Sequence, residues 1–283
     1  MALVDVLIPT YRRKTGLAVV LTGLLGQTFT DFDVVVCDQT PEGDQYLESD
    51  EIQAGVAALR WHGHNVRLLD HRPPRGLAEQ RQFLIEQSRA PYVHYLDDDL
   101  VLEPQVMRRM LRVIQQEECG FVGAAAVGLG FLGDVRPHQQ NIELWHIRVE
   151  PEHFTPETIP WERHAVNNAA NPLHLERRFG LRPGDTPLRY KVAWVGGNVL
   201  YDREKLLDVG AFSWWSRIPP HHAGEEVVAQ LLLLHAFGGC GILPSGTYHI
   251  GLPTTVPDRE HNCTSLFGDL LDEWRRRDVQ RSA

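Results

Sequence analysis

Short apolar runs alternate with stretches of helical periodicity through the first 127 residues, and this alternation restricts the chain to parallel βαβ layering. Residues 3–8 read as a strand stopped by Pro9, residues 17–25 as a helix ended by Gly26, and residues 32–37 as a second strand. A helix over 46–59, a strand over 66–69, a helix over 77–88 and a strand over 92–96 continue the pattern. Val106, Met110, Val113 and Ile114 mark one more helix face before a strand at 121–127. The expected fold class is therefore α/β, with a single Rossmann-like, doubly wound sheet.

Composition narrows the function. With 283 residues, 43% of them hydrophobic, the chain can bury a sizeable core in one large domain or two small ones. A formal net charge of -9 argues against nucleic acid as the partner, since phosphate-backbone binding draws on Lys and Arg. Cys37, Cys119, Cys240 and Cys263 form no CxxC pair, so neither a zinc site nor a disulfide framework is indicated, and a cytoplasmic location is expected. Residues 1–9 enter a strand pattern directly, without the features of a secretion signal. The longest greasy stretch, 227–237, contains Gln230 and His235 and is too short to cross a bilayer, which leaves at most peripheral membrane contact.

Asp97, Asp98 and Asp99 follow the strand at 92–96, at the edge where such a sheet opens its ligand crevice. Three carboxylates there repel one another unless a cation sits among them. Hard oxygen donors favour Mg2+ or Mn2+, held by one or two carboxylates together with substrate phosphates. Taken alone, the triplet equally fits a solvated turn in which Asp99 caps the helix starting near Pro104.

Periodicity fades over 128–190, where seven prolines are scattered among Trp145, His146 and Trp161. This stretch is expected to be an irregular insertion that contributes to a binding surface, with a hairpin at 142–149. Order is expected to return at 192–195, followed by Gly196-Gly197-Asn198, a strand at 199–201 and a helix over 205–209. Residues 225–237 read as a strongly apolar helix preceded by His221 and His222, His249 ends a late strand, and 265–277 reads as an amphipathic helix. The expected organisation is a βαβ half (1–127), a second half (128–252) that includes the irregular insertion, and a C-terminal tail or lid (253–283).

Several of these segments, in this order, resemble family 2 glycosyltransferases of the GT-A fold. Ile8-Pro9-Thr10-Tyr11-Arg12-Arg13 is similar to the family's first strand and turn, and Val36-Cys37-Asp38 to its second strand end. Gly76-Leu77-Ala78-Glu79-Gln80-Arg81 resembles the helix that carries an Arg near the diphosphate, and Leu96-Asp97-Asp98-Asp99 the DxD signature. Gly197-Asn198-Val199-Leu200 is similar to the acceptor-side segment, and Gly224-Glu225-Glu226 stands where the family carries its acidic base. Two departures stand out: Cys37-Asp38 replaces the usual two acids, leaving base recognition to Asp38, and Glu225-Glu226 replaces Glu-Asp.

The resemblance implies a metal-dependent, inverting transfer of a sugar from a UDP-, GDP- or dTDP-sugar to a hydroxyl of a glycan, lipid carrier, peptide or small metabolite. Pro9, Thr10, Tyr11, Arg13, Asp38, Gly76, Arg81, Asp97 and Asp98 are then the donor-binding residues. Asp99, Asp97 and His249 are the candidate ligands of Mn2+ or Mg2+, although a histidine at a strand end is more often a hydrogen-bonded structural residue than a ligand. Glu226, with Glu225 as alternate, is the general base. Trp194, Gly197, Asn198, His221 and His222 fall on the acceptor side, with core packing the default for Trp194 and helix capping for the two histidines. The rival readings are a retaining transferase or nucleotidyltransferase on a similar sheet, a non-catalytic nucleotide-sugar-binding protein and, from the triplet alone, an aspartate-nucleophile phosphatase.

Overall fold

The computed structural model describes residues 1–256 and 259–282. Residues 257, 258 and 283, within the segment assigned as tail or lid, lie outside the described residues. In chain order the elements are β1 (Val4–Thr10), α1 (Lys14–Leu24), β2 (Phe32–Asp38), α2 (Asp50–Trp61), β3 (Val66–Asp70), α3 (Leu77–Glu86) and β4 (Tyr92–Leu96). Next come β5 (Leu100–Leu102), α4 (Val106–Glu117), β6 (Phe121–Gly123), β7 (Val127–Gly128), α5 (Asn171–Phe179), β8 (Leu188–Tyr190), β9 (Asn198–Asp202) and α6 (Arg203–Asp208). The chain closes with α7 (Glu225–Phe237), β10 (Gly239–Leu243), β11 (Thr247–His249) and α8 (Phe267–Ser282).

Eight strands form one sheet in the order β3-β2-β1-β4-β9-β6-β10-β8, and β5, β11 and β7 form a smaller one. β1 to β4 are parallel, as the alternation requires, whereas β9 runs antiparallel between β4 and β6. The two halves expected from sequence thus share one sheet. Strand β1 shows how the layers divide: Val4, Val6 and Ile8 join the core against α1, α2 and α4, while Leu7 joins the core against α3 and α7. Helix α4 buries Val106, Met110, Val113 and Ile114 and exposes Arg108 and Arg112. Helix α7 is buried almost all round between sheet and α8, which explains its unbroken apolar run.

The structure departs from the sequence reading at several points. Helix α2 starts at Asp50 instead of residue 46, because Tyr46 turns inward and its hydroxyl hydrogen bonds Thr10 Oγ1 at 2.6 Å. The strand expected over 121–127 is broken: the backbone leaves the large sheet after Gly123, and Val127–Gly128 pairs with β11 in the small one. Residues 192–195 are not a strand, since Gln230 takes the place of a neighbouring strand by bonding both Val195 N (2.8 Å) and Val195 O (2.7 Å). No hairpin forms at 142–149, where a single bridge joins Leu144 to Tyr190 of β8. The insertion expected to be irregular over 128–190 also contains helix α5, and it is pinned by Arg163, which bonds Glu143 and Glu152. Strand β10 went unread because of its glycines: a Cβ at Gly239 would meet Phe121 at 2.2 Å, and one at Gly241 would meet Tyr190 at 2.2 Å.

Candidate active site

The ends of β1, β2 and β4 and the first turns of α3 and α7 converge on a cluster of five carboxylates, Asp97, Asp98, Asp99, Glu225 and Glu226, held by Arg13 and Arg81. The triplet splits three ways. Asp97 is the most open, with 36% of its side chain exposed, and accepts from Arg81 Nη2 at 3.1 Å. Asp98 turns inward, accepting from Thr10 Oγ1 at 2.6 Å and Arg13 Nη1 at 3.2 Å, and burial pushes its carboxyl up to about 7. Asp99 accepts from Arg13 Nη1, and its Oδ2 lies 3.0 Å from His249 Nε2. Burial acts to raise the Asp99 pKa, but His249 and Arg13 outweigh it and hold the carboxyl below its usual range. The same contact raises the His249 pKa.

Arg81 is the hub. Buried to 1% exposure, it gives Nε to Glu225 Oε1 at 3.1 Å and Nη2 to both Asp97 Oδ1 (3.1 Å) and Glu226 Oε2 (3.4 Å), beneath the face of Tyr95. Three acids around one guanidinium keep it charged despite burial. Glu226 stays uneasy: burial raises its carboxyl to about 8, against the opposing pull of Arg81. Gly197, at φ 79, receives the Asp97 N–H on its carbonyl at 2.8 Å, and its own N–H acts to lower the Glu226 pKa against burial. A Cβ there would press on Asp97 Oδ2 at 3.2 Å, so glycine lets the backbone run between the two acids. Gly196 borders both the Trp194 ring and Glu226 Oε1, which places the half-buried Trp194 beside that carboxylate.

On the other flank, Asp38 ends β2 buried, accepting from Thr40 N at 2.9 Å, with its pKa raised by burial. Pro9 and Thr10 are buried, while Tyr11 is half-buried. Sequence reading missed the polar layer beneath: Gln80 Nε2 bonds Thr10 O (3.0 Å) and Cys37 O (2.6 Å), and Glu79 bonds Gln39 (2.7 Å) and His71 (2.8 Å). Three consecutive polar residues in the first turn of a helix opened by Gly76 were the available signal.

Two residues expected on the acceptor side are otherwise employed. Asn198 is fully buried between His94 and Thr247 Oγ1, the latter at 2.7 Å, and so presents no face to a substrate. His222 is buried and caps α3: its Nε2 accepts from Ala78 N at 3.1 Å while Nδ1 donates to Pro219 O at 2.7 Å. Gly76, at φ 96, must be glycine because a Cβ would meet Pro220 O at 2.4 Å and His222 at 2.7 Å. His221 is exposed.

Asp97, Asp99 and His249 offer the carboxylate oxygens and imidazole nitrogen that a divalent ion takes as ligands. Asp99 Oδ2 and His249 Nε2 are hydrogen bonded at 3.0 Å, with His249 Nδ1 accepting from Gly251 N at 2.9 Å, so Nε2 would have to give up its proton to hold an ion. Among the described residues no group of three or more His, Cys, Asp or Glu is gathered for a metal. No helix among the described residues is long and apolar enough to cross a membrane.

Comparison with known proteins places these features in a family. The sequence profile of glycosyl transferase family 2 matches residues 5–181. A curated relative from Haemophilus influenzae, described as an uncharacterized glycosyltransferase, is 24% identical over 114 residues, which are 40% of this chain and 35% of the relative. S. aureus TarS 1-349 in complex with UDP-GlcNAc superposes with a TM-score of 0.55 at 15% identity, covering 89% of this chain and 60% of that one. The mannosyltransferase PcManGT from Pyrobaculum calidifontis, in complex with GDP-Man and Mn2+, gives 0.55 at 13% identity, covering 90% and 59%. The chain thus spans about a third of the curated relative and about 60% of these two structures. The structural likenesses show the GT-A fold, and the profile match over the greater part of the sequence shows that the chain belongs to glycosyl transferase family 2.

Proposed function

We propose that the protein is a metal-dependent, inverting glycosyltransferase that moves a sugar from a nucleoside-diphosphate donor to an acceptor hydroxyl. The observation that carries this reading is that one nitrogen, Arg81 Nη2, contacts both Asp97 on the donor side and Glu226 on the acceptor side. A donor whose diphosphate lies at the triplet therefore presents its anomeric carbon toward Glu226, the geometry that single displacement needs. Asp38 and Tyr11 flank the base and ribose, while Asp97, Asp99 and Arg13 face the diphosphate. That TarS and PcManGT were solved in complex with UDP-GlcNAc and GDP-Man supports a nucleotide-sugar donor for this chain.

Asp99 and His249 would hold Mn2+ or Mg2+, with Asp97 at the edge where the diphosphate meets the ribose. The bound ion supplies Lewis-acid stabilisation of the negative charge that grows on the departing diphosphate. Glu226, raised to about 8 by burial, takes the proton of the attacking hydroxyl, and its place beside Trp194 lets the indole face carry the acceptor. Glu225, turned onto Arg81 Nε, holds the guanidinium in place.

Incubation with UDP-GlcNAc or GDP-Man, Mn2+ and candidate acceptors, followed by NMR, tests the assignment. It predicts donor consumption that yields a product of inverted anomeric configuration. A product that retains configuration supports the retaining rival, and nucleotide binding without consumption of any donor supports a binding protein.

A further inference from the structure

Arg13 lies against Asp99, the carboxylate that the donor-site reading gives to a divalent ion. Its Nη1 reaches Asp99 Oδ2, the oxygen also bonded by His249 Nε2, and lies 3.2 Å from Asp98 Oδ1. Its Nη2 donates to Pro253 O at 2.5 Å, and its Nε is buried with no hydrogen-bond partner. Only 13% of the side chain is exposed. The backbone beneath is pressed into place: Arg13 is the N-cap of α1, and a Cβ at Gly16 in the first turn would lie 2.3 Å from Asp98 O and 3.1 Å from Leu252.

We propose that Arg13 is a placeholder cation, its guanidinium neutralising Asp99 in the unloaded protein and competing with the divalent ion for the same oxygen. The inference rests on the donor-binding reading above. Two cations cannot share Asp99 Oδ2 without strong repulsion in so enclosed a site. Since α1 is packed onto the triplet backbone, the Arg13 side chain is what moves. It stays tied to Asp98 by Nη1, while Nε and Nη2 become available to the oxygens of an arriving diphosphate. The same step releases Pro253, so the segment that carries Ile250, whose N–H bonds Asp99 O at 3.0 Å, loses one tie to this corner when the site loads. The ion and the diphosphate then bind cooperatively, because the phosphate accepts the charge that the ion displaces.

Mn2+ titration followed by EPR of the free ion tests this without any turnover. In the absence of nucleotide, Arg13→Gln is expected to bind Mn2+ about tenfold more tightly than the wild type, the effect of losing one charge-assisted contact. Arg13→Lys, whose single ammonium cannot span Asp98, Asp99 and Pro253 at once, is expected to gain in the same direction and serves where the glutamine variant does not fold. Adding Asp99→Asn to either variant is expected to abolish the gain. With a nucleoside diphosphate present, the wild type is expected to bind Mn2+ well and the Arg13 variants to lose their advantage. If the wild type binds Mn2+ with nucleotide but the Arg13 variants bind it no more tightly without nucleotide, the placeholder role is overturned while the donor site stands. If no protein binds Mn2+ under either condition, the metal reading itself has failed.

Discussion

His249 Nε2 stands 3.0 Å from Asp99 Oδ2, so the last strand of the chain meets the triplet that ends the fourth. The small sheet makes this possible, because β11 pairs with β5 directly after the triplet and aligns His249 with Leu100. Asp99→Asn and His249→Ala are each expected to weaken Mn2+-dependent nucleoside-diphosphate binding by about 10- to 100-fold. Calorimetry with and without Mn2+ checks this, and equal affinity in variant and wild type would remove the residue from the ion site.

Glu226→Gln keeps the shape of the side chain and removes its proton affinity. Turnover is expected to fall by about 10²- to 10⁴-fold with donor affinity preserved. A base must be ionised to act, and burial pushes the Glu226 carboxyl up to about 8. The wild-type kcat/KM is therefore expected to rise with pH up to about 8 and to level off above it. A profile that is flat from pH 6 to 9 would point to Glu225 or another group as the base.

His94 is fully buried: its Nε2 donates to Asn198 Oδ1, and its Nδ1 has no partner. A proton on Nδ1 would be charged and unsolvated, and burial accordingly depresses the pKa to about 4. The native state then binds fewer protons than the unfolded one between pH 4 and 6.5, so stability is full above 6.5 and falls with pH through about 4. The loss amounts to about 3 kcal/mol. Urea denaturation at a series of pH values should show this slope in the wild type and lose it in His94→Gln. An unchanged slope in the variant would assign the acid sensitivity to other groups.

His222→Ala removes the acceptor for Ala78 N at the start of α3 and leaves that N–H buried. A loss of about 1–2 kcal/mol is expected, read as a lower urea midpoint at unchanged m-value. No change in midpoint would return His222 to the list of substrate-facing candidates.

The βαβ half was legible because its strands are apolar on both faces and its helices carry a regular period. The acidic triplet stood out for the same reason, as charge at the end of a buried strand. What escaped reading was structure whose determinants are distant in sequence. Gln230 satisfies residue 195 from another helix, and β10 is glycine-rich only because Phe121 and Tyr190 lie across it. Asn198 and His222 carry polar groups that suggested a substrate, but both spend them on buried backbone or side-chain partners, a use that spacing alone does not reveal. Arg81 was picked out for a diphosphate, yet its burial under Tyr95 and its three acidic partners depend on α7 returning to β4.

The most direct test of the account is anomalous diffraction from crystals grown with Mn2+ and UDP or GDP. The account predicts a manganese peak bounded by Asp99, His249 and the nucleotide's diphosphate, with Arg13 withdrawn from Asp99. A nucleotide seated at the triplet with no peak there, or a peak on other residues, would contradict it.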